Sequence, residues 1–282
     1  MPERLTGRRS AANSPPMSVW DKLDRKYSVI LCDIWGVVHD GVHLYPNAVE
    51  RLRQWKAQGR KVVLITNAPR TADAVEAQLG RIGLPRDCWD GISTSGEAGI
   101  AAIKRLAHPT GFLGTSQDRA ILEDHGLTFV EDGFTDIAVT GLDDDRDHVE
   151  EYRSQLEAWA DRDVLFHCFN PDRIVIRGGV PEPCAGALAD IYEGLGGRVE
   201  WYGKPHHAIY DYAMDLVGHP PRAAVLAVGD ALITDMLGAA MQGLDAVFVQ
   251  GGIHRGEPFP AGFASEYGLG DWSPVAIVES LA

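Results

Sequence analysis

A chain of 282 residues, 45% hydrophobic and 23% charged, is long enough for one large core or two domains and too apolar for wholesale disorder. Its formal charge of −14 lacks the cationic field that a general nucleic-acid or anionic-membrane binder needs, although a local field inside a cleft can still hold an anionic small substrate. The cysteines, Cys32, Cys88, Cys168 and Cys184, show no C-x-x-C or paired-His spacing, which disfavours zinc and redox motifs and leads to the expectation of a reduced, cytoplasmic protein. No apolar run approaches a membrane span. Residues 1–17 read as a polar, basic, disordered tail, with Met17 as an alternative start.

Along the chain, strand-like and helix-like segments alternate. Tyr27–Cys32 is a short buried strand. Pro46–Gln58 has helical spacing, with Val49, Leu52 and Trp55 on one face and Gly59 past its end. Lys61–Ile65 is again a strand, and Thr71 caps a helix carrying Val75, Leu79 and Ile82 that stops at Gly83. Towards the other end, Ala223–Val228 is a strand, Thr234–Gln242 a helix and Ala246–Val249 a strand. This alternation predicts a parallel sheet covered by helices on both faces. The middle breaks the pattern: a helix ending at Gly126, a strand Ile137–Thr140, a helix bearing Val149, Tyr152, Leu156 and Trp159, strands Val164–Phe169 and Ile174–Ile176, and a helix from Cys184 to Gly194. It reads as an inserted α+β domain, 109–199, between core segments 18–108 and 200–282. The acidic cluster Asp143-Asp144-Asp145 reads as a solvated turn.

Four segments place polar groups just beyond an apolar strand or ahead of a helix, where ligands of parallel α/β sheets bind. Asp33 follows Val29–Cys32, Thr66-Asn67 follows Val62–Ile65, Gly229-Asp230 follows Val225–Val228 with Asp235 beyond, and Lys204 precedes a helix. Converging carboxylates repel unless a cation sits among them, and hard oxygen ligands describe magnesium. The ion and Lys204 would neutralise a phosphate, Thr66 and backbone N–H groups would bind its oxygens, and Asp33 would attack. A carboxylate with an ordinary pKa of about 3.9 needs no activation for that role.

The stretches "CDIWGVVHDG", "VVLITNAPRT", "STSGEA", "FNPD", "YGKPHHAIYDYAM" and "AVGDALITDMLGAAMQG" resemble the haloacid dehalogenase (HAD) superfamily, in particular its NagD-like phosphatases with a type IIA cap. The resemblance implies a doubly wound, Rossmann-like α/β core with an inserted α+β cap of type C2 that closes over the site. It implies Asp33 as the nucleophile of an aspartyl-phosphate, Thr66 and Asn67 as phosphate ligands, and Lys204 as the bridge between nucleophile and phosphate. Magnesium would be held by Asp33, the Trp35 carbonyl and Asp230 directly, and by Asp235 through water or as a partner supporting Asp230. Asn170 and Asp172 match a cap motif and would shape the substrate side. Caps of this type often carry a dimer interface, so a homodimer through the cap is compatible with it.

Trp35 departs from the pattern, because phosphatases of this superfamily carry a second Asp there as general acid and base. Indole has one N–H donor and no useful basicity. Loss of that function would typically lower the rate about 10²–10⁴-fold. His39 and Asp40-Gly41, just beyond, read as a flap residue and a turn, and His206-His207 as a helix start. The expectation is a magnesium-dependent phosphatase of a small metabolite, a sugar phosphate or nucleotide, with slow turnover or a preference for good leaving groups. The alternatives are a low-turnover binder of a phospho-ligand or partner and, less favoured, a hydrolase of carbon–halogen or carbon–phosphorus bonds.

Overall fold

The computed structural model describes residues 19–177, 180–252 and 257–282, with side chains undescribed at 176, 177 and 180. The expected tail, 1–17, lies outside these residues. The strands are β1 Val29–Asp33, β2 Lys61–Thr66, β3 Gly91–Thr94, β4 Thr110–Leu113, β5 Asp136–Val139, β6 Leu165–Cys168, β7 Ile174–Arg177, β8 Val180–Pro183, β9 Arg198–Trp201, β10 Val225–Gly229, β11 Asp245–Val249 and β12 Ala276–Val278. The α-helices are α1 Ala48–Ala57, α2 Ala72–Ile82, α3 Ser95–Ile103, α4 Ser116–Asp124, α5 Arg153–Ala160, α6 Ala185–Gly194, α7 His207–Asp215, α8 Leu237–Met241 and α9 Phe263–Glu266.

A parallel sheet in the order β12-β11-β10-β1-β2-β3 forms the core. The chain winds one way from β1 to β3 and the other way from β10 to β12, so the order reverses beside β1, where α/β sheets bind ligands. All five residues of β1 are buried, as its continuous apolar run requires of a strand covered on both faces. Alternation divides it: Ile30 and Cys32 join a cluster with Leu52, Trp55 and Trp89, while Val29 and Leu31 join Ile209, Tyr210 and Phe248 on the other face. Each fully buried aliphatic side chain of this kind contributes about 1.5–3 kcal/mol. The Thr71 side chain accepts from the Ala74 N–H and Gly83 closes α2 in the left-handed conformation, as the spacing predicts.

The inserted region builds a second parallel sheet, β4-β5-β6-β9, and an antiparallel ribbon, β7-β8. The second sheet runs on past residue 199 into Trp201. Tyr152, Leu156 and Trp159 pack on Phe166, Leu188 and Tyr192 beneath it. A smaller cluster joins the units: Ala98, Ile100 and Ile103 of α3 meet Leu122, Phe129, Phe169 and Tyr202. Two expected helices differ in detail. The one bearing Val149 is a 3₁₀ turn, Val149–Tyr152, that leads into α5. The one expected from Thr234 opens as a π turn, Leu232–Met236, before α8, with the Asp235 and Met236 N–H groups both donating to the Ala231 carbonyl at 3.1 Å.

A buried polar chain crosses the second sheet. His167 Nε2 lies 2.7 Å from Asp136 Oδ1 and its Nδ1 lies 2.6 Å from the Tyr202 hydroxyl. The phenol donates to Nδ1, so the ring bonds both partners while neutral. Burial, against the pull of Asp136, holds its pKa below the usual value and agrees with that tautomer rather than an imidazolium ion pair.

Candidate active site

Asp33, Thr66, Asn67 and Asp230 stand where core strands end. Asp33 is the last residue of β1, Thr66 the last of β2 with Asn67 next, and Asp230 follows β10. The π turn carries Asp235, whose Oδ2 accepts from the Ala231 N–H at 3.1 Å and fixes the carboxylate. Lys204 lies between β9 and α7, bonded to the core by its ammonium: Nζ donates to Asp33 Oδ1 at 2.5 Å and to Asp235 Oδ1 at 2.7 Å. One carboxylate oxygen from each of Asp33, Asp230 and Asp235 lies within 4.8 Å of the other two, and all three residues are buried.

Room for Asp230 comes from missing side chains. A Cβ on Gly36 would lie 2.1 Å from Asp230 Oδ2, and one on Gly252, after β11, would lie 1.9 Å from it. Gly36 also has a φ of +84°, a region where an L side chain is strained.

Asn67 is the joint between lysine, core and inserted domain. Its Oδ1 accepts from the Lys204 backbone N–H at 2.6 Å, and its Nδ2 donates to the Lys204 carbonyl at 3.1 Å and to Asp172 Oδ1 at 2.9 Å. Thr66, half-buried beside it, accepts from the Ala68 N–H at 3.4 Å. Asp172 is thereby brought to the core site. Asn170 Oδ1 accepts from the Asp172 N–H at 3.2 Å, so Asn170 forms the turn that presents Asp172. Spacing showed these residue types but not the triple use of Asn67. The only hint was an amide placed directly after a strand.

The neighbouring motif residues take plain roles. Asp40 Oδ1 accepts from the Val42 and His43 N–H groups and closes a turn, and His207 begins α7. Asp143 bonds Arg146 and backbone N–H groups in its own loop. Trp35 keeps 42% of its surface exposed, its ring edge-on to His39.

Burial, with Asp235 and Asp230 close by, pushes the Asp33 carboxyl well above the usual range, and Lys204 only partly opposes this. Burial alone would lower the Lys204 ammonium, but Asp235 and Asp33 outweigh it and hold its pKa well above the ordinary value. Asp172 is also raised, by burial, against Asn67 and Lys204. Among the described residues, three carboxylates converge on one ammonium, a concentration of buried negative charge that favours a cation. A divalent cation would cancel it. The all-oxygen donor set of Asp33, Asp230 and Asp235 fits a hard ion such as magnesium.

Comparison with known proteins follows the same line. A family model described as haloacid dehalogenase-like hydrolase matches residues 30–128, and one described as HAD-hydrolase-like matches residues 201–282. A crystal structure of a hydrolase of the haloacid dehalogenase-like family from Brucella suis 1330 is 33% identical with a TM-score of 0.79, covering 93% of this chain and 98% of its own. The ribonucleotide monophosphatase NagD of Escherichia coli K12 is 28% identical over 229 residues, 79% of this chain and 88% of that protein. A 4-nitrophenylphosphatase from Thermotoga maritima shares the fold, with a TM-score of 0.71, 23% identity, and coverage of 91% of this chain and 95% of that one.

Proposed function

The chain belongs to the NagD-like branch of the haloacid dehalogenase-like hydrolases, and from that premise we propose that it is a magnesium-dependent phosphomonoesterase of a small metabolite. The observation that carries the reading is Lys204, whose ammonium joins Asp33 to Asp235 inside a buried carboxylate cluster. A lysine and a cation site flanking one carboxylate suit a dianionic phosphoryl group. The cluster would hold magnesium, which supplies positive charge against the phosphate oxygens.

In the proposed reaction an Asp33 oxygen attacks phosphorus, the bond to the substrate's oxygen breaks, and the electron pair leaves with that oxygen. Water then attacks the aspartyl-phosphate at phosphorus, releasing phosphate and restoring the carboxylate. Lys204 offsets charge in both steps, Thr66 and Asn67 line the phosphate side, and Asp172 is the contact from the cap, residues 109–199. Magnesium dependence, a sugar phosphate or nucleotide as substrate, a cytoplasmic location and a homodimer through the cap belong to this proposal. Among the described residues no helix is long and apolar enough to cross a membrane. Trp35 favours one second reading, a phospho-ligand binder of low turnover, because no carboxyl stands there to protonate the leaving oxygen.

The test is magnesium-dependent release of p-nitrophenol from p-nitrophenyl phosphate by wild type and Asp33→Asn. The expected outcome is metal-dependent turnover that drops at least about a thousandfold in the variant. A folded but inactive wild type would leave the binder as the better reading.

A further inference from the structure

Indole at position 35 gives the proposed reaction no acid there, and an alkoxide leaves phosphorus slowly unless something protonates it. Three ionisable groups near that loop and near Lys204 do not suit the task. Asp40 is exposed, and the His43 and Val42 N–H groups hold its carboxyl below the ordinary range, so it stays ionised. His39 is buried, which lowers its pKa, and its Nδ1 already accepts from the Gly41 N–H at 2.8 Å. His206 stacks on Trp201 with centroids 5.0 Å apart, and burial pushes its pKa down to about 4. At neutral pH these groups are an anion and two neutral rings.

Asp172 differs in place and in chemistry. Its Oδ1 accepts from the Asn67 amide at 2.9 Å, and the same amide grips both the N–H and the carbonyl of Lys204. The backbone that carries it is pinned from two sides. A Cβ on Gly203, next to Lys204, would lie 2.5 Å from Pro171 Cδ, and one on Gly186, in α6, would lie 2.6 Å from the Asp172 carbonyl oxygen. Arg173, paired with Asp190, donates to the Pro171 carbonyl at 2.8 Å. Among the described residues no hydrogen bond reaches Asp172 Oδ2. Burial holds this carboxyl above the usual range, helped by Asp235 and opposed by the Asn67 amide, Lys204 and Arg173, which favours a proton on the open oxygen.

Resting on the phosphatase reading above, we infer that Asp172 is the general acid and base of the reaction, supplied by the inserted domain in place of a carboxyl at position 35. In an in-line displacement the leaving oxygen stands across phosphorus from the attacking one. Asp33 ends a core strand and Asp172 comes from the inserted domain, which matches those two sides. As the phosphorus–oxygen bond breaks, its electron pair goes to the leaving oxygen, which takes the Asp172 proton and departs as a neutral alcohol. In the second half the Asp172 carboxylate takes a proton from the water that attacks phosphorus. The electron pair of the bond to Asp33 returns to the Asp33 carboxylate, phosphate leaves, and both side chains regain their starting forms. Sugar phosphates and nucleotides, whose alkoxides need that proton, then come within reach.

The test compares phenyl phosphate with p-nitrophenyl phosphate, esters of similar shape whose leaving groups differ in basicity, in wild type and Asp172→Asn. Asparagine keeps a carbonyl oxygen for the Asn67 amide and loses the acidic proton. Because kcat/KM reports the steps up to departure of the leaving group, it excludes the attack of water. The phenyl-to-p-nitrophenyl ratio of kcat/KM is expected to fall about tenfold or more in the variant. The variant should also release p-nitrophenol in a burst, since water then attacks the aspartyl-phosphate without a base. A fall shared alike by both esters marks a structural role and overturns the acid. Wild type alone gives a second measurement: kcat/KM should drop more in heavy water for phenyl phosphate than for p-nitrophenyl phosphate, and equal drops overturn the acid. Wild type that releases no p-nitrophenol overturns the phosphatase reading and the acid with it, whereas turnover with an unchanged ratio overturns the acid alone.

Discussion

Lys204 and Gly36 are the residues at which the charge balance of the site is most exposed to change. Lys204→Met would leave Asp33 and Asp235 without their buried ammonium, and removal of one partner of such a pair costs about 3–5 kcal/mol. The expected outcome is a loss of that size in urea unfolding at pH 7. Gly36→Ala acts differently, since its Cβ would push directly on the Asp230 carboxylate. The magnesium concentration for half-maximal activity is expected to rise about 10–100-fold, as when a group that orients a metal ligand is lost. A metal titration of p-nitrophenyl phosphate hydrolysis reads this, and unchanged metal dependence would break the assignment of Asp230. Asp33, Thr66, Lys204 and Asp230 were legible because each follows an apolar run or precedes a helix in a recognisable order. Gly36 and Gly252 were not, because what matters there is the distance to a side chain far along the chain.

At the level of elements, β1, β2 and β10 could be read from continuous apolar runs, and α2 from its cap and stop. β9, Arg198-Val-Glu-Trp201, gave no such signal, because it lies at the edge of the second sheet and its residues alternate between exposed and half-buried. The π turn was read as ordinary helix, because the widening comes from two N–H groups sharing the Ala231 carbonyl, which no residue type announces. β5 and β6 carry the Asp136–His167–Tyr202 chain, and it makes a pH prediction. The folded state holds His167 below its unfolded pKa of about 6.5, so its contribution is fully present above that pH and is lost as pH falls below it. Wild-type Tm is expected to decline between pH 7 and pH 5, and His167→Gln to show a lower Tm at pH 7 with a shallower decline. An equally steep decline would mean that folding leaves the His167 pKa unchanged, and a steeper one that the folded ring is charged.

For the whole molecule, ligand and fold stability are linked through a site assembled from both halves of the core. Magnesium with phosphate at about a hundredfold excess over the dissociation constant would stabilise the native state by about 2.7 kcal/mol. The corresponding rise in Tm is about 5–10 °C, read by differential scanning fluorimetry. Phosphate without metal is expected to give a smaller shift, because the carboxylate cluster then repels it. The two-unit plan could be read from the break in the strand–helix alternation. How the units meet, through Asn67 and Asp172 and the cluster around Phe169, could not, since those contacts join residues far apart in the chain.

The order of strands also fixes the order in which the molecule can be finished. Val29 pairs with Lys61 on one side and with Val225 on the other. During synthesis at about 5–20 residues per second, β1 acquires its first neighbour within seconds and waits roughly ten to forty seconds for the second. Throughout that interval the strand that ends in Asp33 presents a bare apolar edge of the kind that recruits other chains. The inserted domain emerges in the meantime and can complete its own sheet. The strand that brings Asp230 to the site is therefore also the one that covers the open edge of β1.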